Sequence, residues 1–594
     1  MVQVQQVSSR IFTLANVISV VRLMSIPVFL VLVINDQLLA AFILLLAAVL
    51  TDFVDGMIAR AMNQITRLGQ FLDPFADRLF IAATVIALAI QDVVPWWFVA
   101  AVMLRDALLG VGGLVMSRYG AATLPVKWWG KVATFGMLFV LPLFFLGAVF
   151  EPIGTATNTV AWVLAVAVVV LYWVVGFSYL FDAIARKTKF PSVILLMFTG
   201  IIIRAITNLY GFTDFGFLDK VIPVLGTVGL ILIVLEGALE LDIKKEKLPV
   251  ILKGFFAAAL ILILNIIAVS WAFENILNLE HKTAIIFAIP MTIISSAVAI
   301  PSAAGLLNRE KEFVVYESTF SDILGIMIFN YAIRQFESNQ TIISAESIVA
   351  LGLQIIGVIL VSLIITYLLF QLLQKIEHHV KFFLILALLV LVYAFGKFFH
   401  LPALVTIFIF GLFLSNVKAL LPRFMQRYLD LNQTEKGLHE FHILTAESTF
   451  LVKTFFFLFF GFSINLVEFS SVTPFIYAVL IFGIMLLIRY LYFIATTLKI
   501  KPSPLVYMSP RGLISILLFL QIKEVTFINT AASIIDEQVL LIVILASMLM
   551  MTFGTMKKSK QDSELDSSEN SEETETNTLD VFLDGIADER EDLT

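Results

Sequence analysis

Apolar runs of about twenty residues recur from one end of this chain to the other, each long enough to cross a ~30 Å hydrocarbon core as a helix. With no water at that depth, the backbone must satisfy its own hydrogen bonds, and the Ile-, Leu-, Phe- and Val-rich runs do so as helices. Roughly eighteen can be counted by the usual length criterion. The expected fold class is therefore an all-α, polytopic integral membrane protein. Of the 594 residues, 60% are apolar and only 14% are charged, which excludes a soluble globular domain. The first run already holds Asn16, Ser19 and Arg22 and is followed by no small-residue cleavage site, so it reads as a retained span rather than a signal peptide. The absence of cysteine excludes disulfides, thiolate metal sites and thiol catalysis.

Lys and Arg placement orients the spans. With a cytoplasmic N-terminus, the inside loops carry Arg60 and Arg67; Arg118, Lys127 and Lys131; Arg186, Lys187 and Lys189; Lys244, Lys245 and Lys247; and so on to Lys557, Lys558 and Lys560. The loops at 35–37, 91–95, 151–157, 208–219 and 467–473 are almost free of both and fall outside. The positive-inside rule then places both termini in the cytoplasm and the chain in the cell inner (cytoplasmic) membrane.

Composition shifts once along the chain. Residues 1–185 hold six of the seven tryptophans, and beyond Phe190 the apolar residues turn to Ile, Leu and Phe. The basic segment around Arg186 and Lys187 marks the change, giving one domain over 1–187 with six helices and a second over 188–556 with about twelve. Residues 557–594 begin with lysines and then carry thirteen acids against one Arg, a solvated, disordered cytoplasmic tail by composition.

Two segments place charge where it is expensive. The first runs Asp52-x-x-Asp55-Gly56-x-x-Ala59-Arg60, then eight residues on, Gly69-x-x-x-Asp73-x-x-x-Asp77. Helical spacing puts each aspartate pair on one face. Four converging carboxylates repel unless a cation sits among them, and an all-oxygen donor set favours Mg²⁺ or Mn²⁺, as one or two ions. In the second, Phe313–Ile333, Asp322 falls near the midplane beside Glu317, Ser318 and Ser321. The preceding run is interrupted at Ser295-Ser296-Ala297-Val298-Ala299-Ile300-Pro301, and a late run at Ser509-Pro510-Arg511-Gly512. Paired broken helices point to a midplane ion site in a secondary transporter.

The aspartate pattern resembles the signature of the CDP-alcohol phosphotransferase family, with every motif position filled, and the resemblance extends over about residues 10–185. It implies that Asp52, Asp55 and Asp73 are metal ligands, and that Asp77 both contacts metal and acts as general base on the acceptor hydroxyl. It also implies that Gly56, Ala59, Arg60 and Gly69 line the CDP site. The donor would be CDP-diacylglycerol, and a two-metal site is expected. Pro95-Trp96-Trp97, Arg105-Asp106 and Gly130-Lys131-x-x-Thr134 look most like phosphatidylglycerophosphate synthases and their cardiolipin-synthase relatives. Glycerol 3-phosphate is the first expected acceptor and phosphatidylglycerol the second, with Arg105, Arg118 and Lys131, and less so Lys127, as candidates for an acceptor phosphate.

The second half resembles the sodium/proton antiporters of the cation:proton antiporter superfamily, an inverted-repeat fold, over about residues 191–556. Glu317-Ser318-x-x-Ser321-Asp322 is similar to the Glu-Ser-x-x-Asn-Asp motif of the electroneutral branch, with Ser321 in place of Asn. Ser295-Ser296-Ala297-Val298-Ala299 looks like a degenerate Thr-Asp-Pro-Val-Ala. On this resemblance Asp322 trades a proton for Na⁺ or K⁺, with Ser295 and Ser318 as neutral ligands. Glu317 and Arg511 form a buried ion pair with Arg489 compensating nearby. Glu236 is a secondary candidate, and Lys453 pairs with Glu447. The rival expectation is a non-transporting scaffold or lipid transporter. Both resemblances imply a homodimer among membrane lipids, and no nucleic-acid partner is expected.

Overall fold

The computed structural model describes residues 14–61, 67–118, 128–188, 191–211, 216, 218–241, 243–303, 306–337, 356–357, 359–368, 371, 381–398, 403–417, 431–464, 472–497, 504–524, 535 and 537–556. Among these residues there are helices and short connections but no strand. Among the described residues, eleven helices are long and apolar enough to cross a membrane, and five shorter apolar helices accompany them. The chain divides into two compact units, Met1–Ala183 and Ile184–Thr594.

The first unit contains α1 (Leu14–Ile34), α2 (Leu38–Ala61), α3 (Arg67–Ile90), α4 (Trp96–Arg118), α5 (Trp128–Val149) and most of α6 (Glu151–Thr188). Helix α1 packs on α2 and α3, and α5 packs on both of these. Apolar side chains of α1, α3, α4, α5 and α6 meet in an aromatic core. There Phe98 and Phe144 lie 5.6 and 5.3 Å from the Trp162 ring, both edge-on, and Phe29 lies 5.6 Å from Phe145. Edge-to-face contacts suit the positive ring edge and negative ring face. Asp36 and Asp92 take positive φ in the tight turns after α1 and α3, where a short polar side chain tolerates the left-handed region. Gln91 ties those turns together by donating to the Val33 carbonyl and the Asp36 carboxylate.

The second unit contains α7 (Ser192–Leu209), α8 (Leu218–Glu240), α9 (Leu248–Leu277), α10 (His281–Thr292), α11 (Ser296–Ser302) and α12 (Asn308–Glu337). It continues with α13 (Ile359–Leu368), α14 (Lys381–Phe398), α15 (Ala403–Ser415), α16 (Leu431–Ser463), α17 (Thr473–Thr497), α18 (Leu513–Glu524) and α19 (Glu537–Met556). Helix α16 packs against α7 and α8, and α9 against α10, α12 and α17. At the α7–α16 crossing Gly200 faces the backbone of Leu458, Gly461 and Phe462, and Gly461 in turn faces that of Met197. Only hydrogen at Cα permits so close an approach in a bilayer, where helices associate by packing alone.

Candidate functional site

In the first unit Asp52, Asp55, Gly56, Ala59 and Arg60 occupy the C-terminal part of α2, and Gly69, Asp73 and Asp77 the N-terminal part of α3. The side chains at 52–74 lie outside the described residues, as does Lys127, and Arg118 is described by its backbone alone. Asp77 is described. Its Oδ1 accepts a hydrogen bond from Arg22 Nη1 at 2.8 Å, the Arg side chain being 3% and the Asp side chain 21% exposed. Arg22 was legible only as a charge inside an apolar run, an expensive placement whose partner lies 55 positions away. The donor set itself, four carboxylates on two successive helices, fits a hard divalent cation. No group of three or more potential ligands is present among the described residues, since three of the four aspartate side chains fall outside them.

Two acceptor-phosphate candidates are described in full, and they differ. Lys131 is exposed in the first turn of α5. Arg105 is buried and already engaged. Its Nη1 pairs with Asp106 at 2.7 Å, its Nε donates to the Tyr172 carbonyl at 3.1 Å, and its guanidinium stacks 3.7 Å from the Tyr172 ring centroid. The Tyr172 hydroxyl donates to Asp106, and a side chain at Gly176 would press on Arg105. Arg105 is thus held in a buried cluster with Asp106 and Tyr172. Its charge is spent on a neighbouring carboxylate and an aromatic face, and that pairing needs α6 to be folded alongside α4.

The second unit places its polar residues at a crossing of two broken helices. Helix α10 ends at Thr292, the chain runs extended through Ile293 and Ser295, and α11 restarts at Ser296. The other break, 507–512, precedes α18. The Ser295 N–H donates to the Pro510 carbonyl at 2.8 Å, so each break satisfies the other. A methyl at Gly512 would fall 2.7 Å from Ser295 Oγ, which explains the glycine at that contact.

Helix α12 supplies the remaining partners. The Ile294 N–H donates to Ser321 Oγ at 3.0 Å, and the Ser296 N–H to Asp322 Oδ2 at 3.1 Å. Asp322 is 2% and Ser295 1% exposed, yet Asp322 Oδ1 and Ser295 Oγ have no hydrogen-bond partner among the described residues. Two orphaned oxygens in so dry a place are what a small cation requires. Ser318, expected as a neutral ligand, donates its hydroxyl to the Val314 carbonyl at 2.7 Å, in its own helix.

The buried ion pair differs from expectation. Glu317 is held in bidentate fashion by Arg489, Nη1 to Oε1 at 2.6 Å and Nη2 to Oε2 at 2.9 Å, with both side chains 1% exposed. Arg489 also donates to the carbonyls of Leu505, Val506 and Met508. Arg511 takes no carboxylate. It donates to the Met291 and Ser509 carbonyls and to Met485 Sδ, and its own N–H is taken by Ser547 Oγ. A cation against the last turn of α10 suits that helix's negative end. Linear order could not choose between two arginines 22 positions apart, because the choice rests on which one α17 carries to Glu317.

Lys453 likewise corrects expectation. It donates to the Ala297 carbonyl at 3.3 Å rather than pairing with Glu447. Six positions on one helix amount to about 600° of rotation, so the two residues do not share a face. A cavity of about 720 Å³ is lined by Ser296, Lys453, Glu236, Glu240, Lys311 and His442 among others. Glu236 is half-buried on α8 and lines this cavity.

Residues 12–180 match the model of the CDP-alcohol phosphatidyltransferase family. Residues 169–557 match that of the sodium/hydrogen exchanger transmembrane family. A putative cardiolipin synthase of Mycobacterium tuberculosis is 41% identical over 141 residues, 23% of this chain and 67% of that protein. A CMP-forming cardiolipin synthase of Streptomyces coelicolor is 33% identical over 179 residues, 29% of this chain and 83% of that one. The structure of the sodium proton antiporter MjNhaP1 from Methanocaldococcus jannaschii aligns with a TM-score of 0.51 at 20% identity, covering 64% of this chain and 96% of that one. At that identity the alignment speaks for the fold alone. The chain therefore belongs to two families in tandem, CDP-alcohol phosphatidyltransferase in its N-terminal part and sodium/hydrogen exchanger over residues 169–557.

Proposed function

We propose that the chain is a bifunctional protein of the cell inner membrane, with both termini cytoplasmic, in which residues 1–187 make a phospholipid and residues 188–556 exchange Na⁺ or K⁺ for H⁺. A homodimer is part of this reading.

In the first reaction the hydroxyl of a glycerol-bearing acceptor attacks the diacylglycerol-linked phosphorus of CDP-diacylglycerol. The new P–O bond forms, the bond to CMP breaks, and the hydroxyl proton passes to Asp77. Asp52, Asp55, Asp73 and Asp77 would hold the divalent metal, which neutralises the pyrophosphate and polarises phosphorus. Gly56, Ala59, Arg60 and Gly69 would receive the cytidine diphosphate, and Arg22 holds the base in one orientation through its 2.8 Å bond.

Phosphatidylglycerol is the acceptor this reading favours, which reverses the order expected from sequence. The observation behind it is the Arg105 cluster: with that guanidinium committed to Asp106 and Tyr172, one of the cations a phosphate dianion needs is withdrawn. The similar proteins named as cardiolipin synthases point the same way. Glycerol 3-phosphate remains the second reading, supported by the exposed Lys131 and by a 30% identical probable phosphatidylglycerophosphate synthase of Mycobacterium tuberculosis. Purified full-length protein with CDP-diacylglycerol is expected to release CMP when phosphatidylglycerol is supplied. CMP release with glycerol 3-phosphate alone would overturn the preference.

For exchange, the supporting observation is the pair of unpartnered buried oxygens, Asp322 Oδ1 and Ser295 Oγ. Asp322 binds either a proton or the cation, so one cannot be loaded without release of the other. Proteoliposomes carrying a pH-sensitive dye test this: cation-driven proton flux is expected from the full chain and should vanish in Asp322→Asn. Equal flux in both would leave the scaffold reading standing.

A further inference from the structure

The ammonium of Lys453 sits in an unusual place for a charge. Helix α16 is apolar around it, Phe450-Leu451-Val452-Lys453-Thr454-Phe455-Phe456, and a lysine inside a span is costly unless it faces a polar cavity. Its one bond within the fold is explained by proline chemistry. In α11 the Ala297 carbonyl should accept from the N–H of residue 301, but Pro301 has none. Lys453 Nζ takes that vacant carbonyl at 3.3 Å, which uses one of its three donors. Residue 297 directly follows Ser296, whose N–H holds Asp322. The ammonium therefore bonds α11 two peptide units on from the amide that positions the exchange carboxylate. Both Ser296 and Lys453 line the cavity that also carries Glu236 and Glu240.

We propose that Lys453 is an affinity-determining residue for the transported cation: its fixed charge opposes the incoming ion at Asp322 and keeps the site from saturating at low cation concentration. The proposal rests on the antiporter reading of Asp322. Lys453 shares the cavity with Glu240, whose charge also meets Lys311 and His442, and its own charge weakens the last step, so that a bound ion is also readily released. One unit charge about 10 Å away, at an effective dielectric near 20, is sufficient to change affinity by about tenfold.

Charge and hydrogen bonding are separable here. Lys453→Gln keeps a donor for the Ala297 carbonyl without the charge, and Lys453→Arg keeps both. Full-length protein in proteoliposomes is assayed for proton flux against Na⁺ and K⁺ concentration at alkaline pH, where the proton does not compete, alongside Asp322→Asn. The expected result is an apparent KM about tenfold lower in Lys453→Gln, with kcat no higher than wild type, and an unchanged KM in Lys453→Arg. Cation-dependent thermal stabilisation of the detergent-solubilised variants should shift to lower cation concentration in the same order. A wild-type KM in Lys453→Gln, whether or not kcat falls, reduces Lys453 to a cap on a vacant carbonyl and overturns the proposal. If wild-type flux does not exceed that of Asp322→Asn, the antiporter reading itself fails and the proposal falls with it.

Discussion

Ser295 and Pro510, 215 positions apart, share a backbone hydrogen bond of 2.8 Å at the point where two interrupted helices cross. Each break exposes peptide groups that a bilayer cannot solvate, and each supplies what the other lacks. The crossing leaves little room at residue 512, where a methyl would fall 2.7 Å from Ser295 Oγ. Gly512→Ala is expected to abolish cation-driven proton flux while leaving CMP release within twofold of wild type, an order-of-magnitude expectation for a contact this tight. Adding Ser295→Gly, which removes the atoms a methyl at 512 would strike, should recover folding. Recovery is checked by thermal unfolding of the double variant against the single one.

The Glu317–Arg489 pair makes a thermodynamic prediction. Both groups are almost wholly buried, so removing one strands the other. Arg489→Met should destabilise the second unit by about 3–5 kcal/mol. Combining it with Glu317→Met should restore part of that loss, because no charge is then left without a partner. Chemical or thermal unfolding of the four members of the cycle measures the coupling. Arg511→Met, which breaks no ion pair but removes a cation that the Glu317 charge feels through space, should show a weaker coupling to Glu317 than Arg489→Met does.

Arg22 bonds the carboxylate proposed as general base. Arg22→Met is expected to lower kcat for CMP release by roughly tenfold to a hundredfold, the usual scale for losing the positioning of a catalytic group, with a smaller effect on the KM for CDP-diacylglycerol. Arg22→Lys should recover part of the rate. An unchanged kcat in the Met variant would show the ion pair to be purely structural.

The two activities can be separated by single substitutions. Asp77→Asn should eliminate CMP release and leave proton flux intact, and Asp322→Asn should do the reverse. Measuring both activities on each variant in the same vesicles reads out coupling directly. Loss of both functions from either change would mean that the two units act together.

Much of this was legible from the chain alone, for stated reasons. A membrane-spanning, all-helical fold follows from the length of the apolar runs, since hydrocarbon leaves the backbone few other options. The interruption at Ser295–Pro301 and the acid at Asp322 stood out because hydroxyls, proline and charge are expensive at that depth. The clustering of Asp52, Asp55, Asp73 and Asp77 came from helical periodicity, a local property. Their side-chain arrangement is another matter, and of the four only Asp77 falls among the described side chains.

The pairings that linear order does not show are those with a partner far along the chain. The tyrosine that covers Arg105 is 67 positions away. The acceptor of Lys453 is a carbonyl bared by Pro301, not an acid on its own helix. Sequence by itself determined which residues are too costly to be in a membrane without a function, because burying charge and breaking helices carry large local penalties. Only the tertiary structure decided which of them pair with each other and which are left open to a ligand. Arg489 rather than Arg511 neutralises Glu317, Arg22 meets Asp77, and Asp322 keeps one oxygen unclaimed, since hydrogen bonds of about 3 Å are set by how helices cross and not by their order.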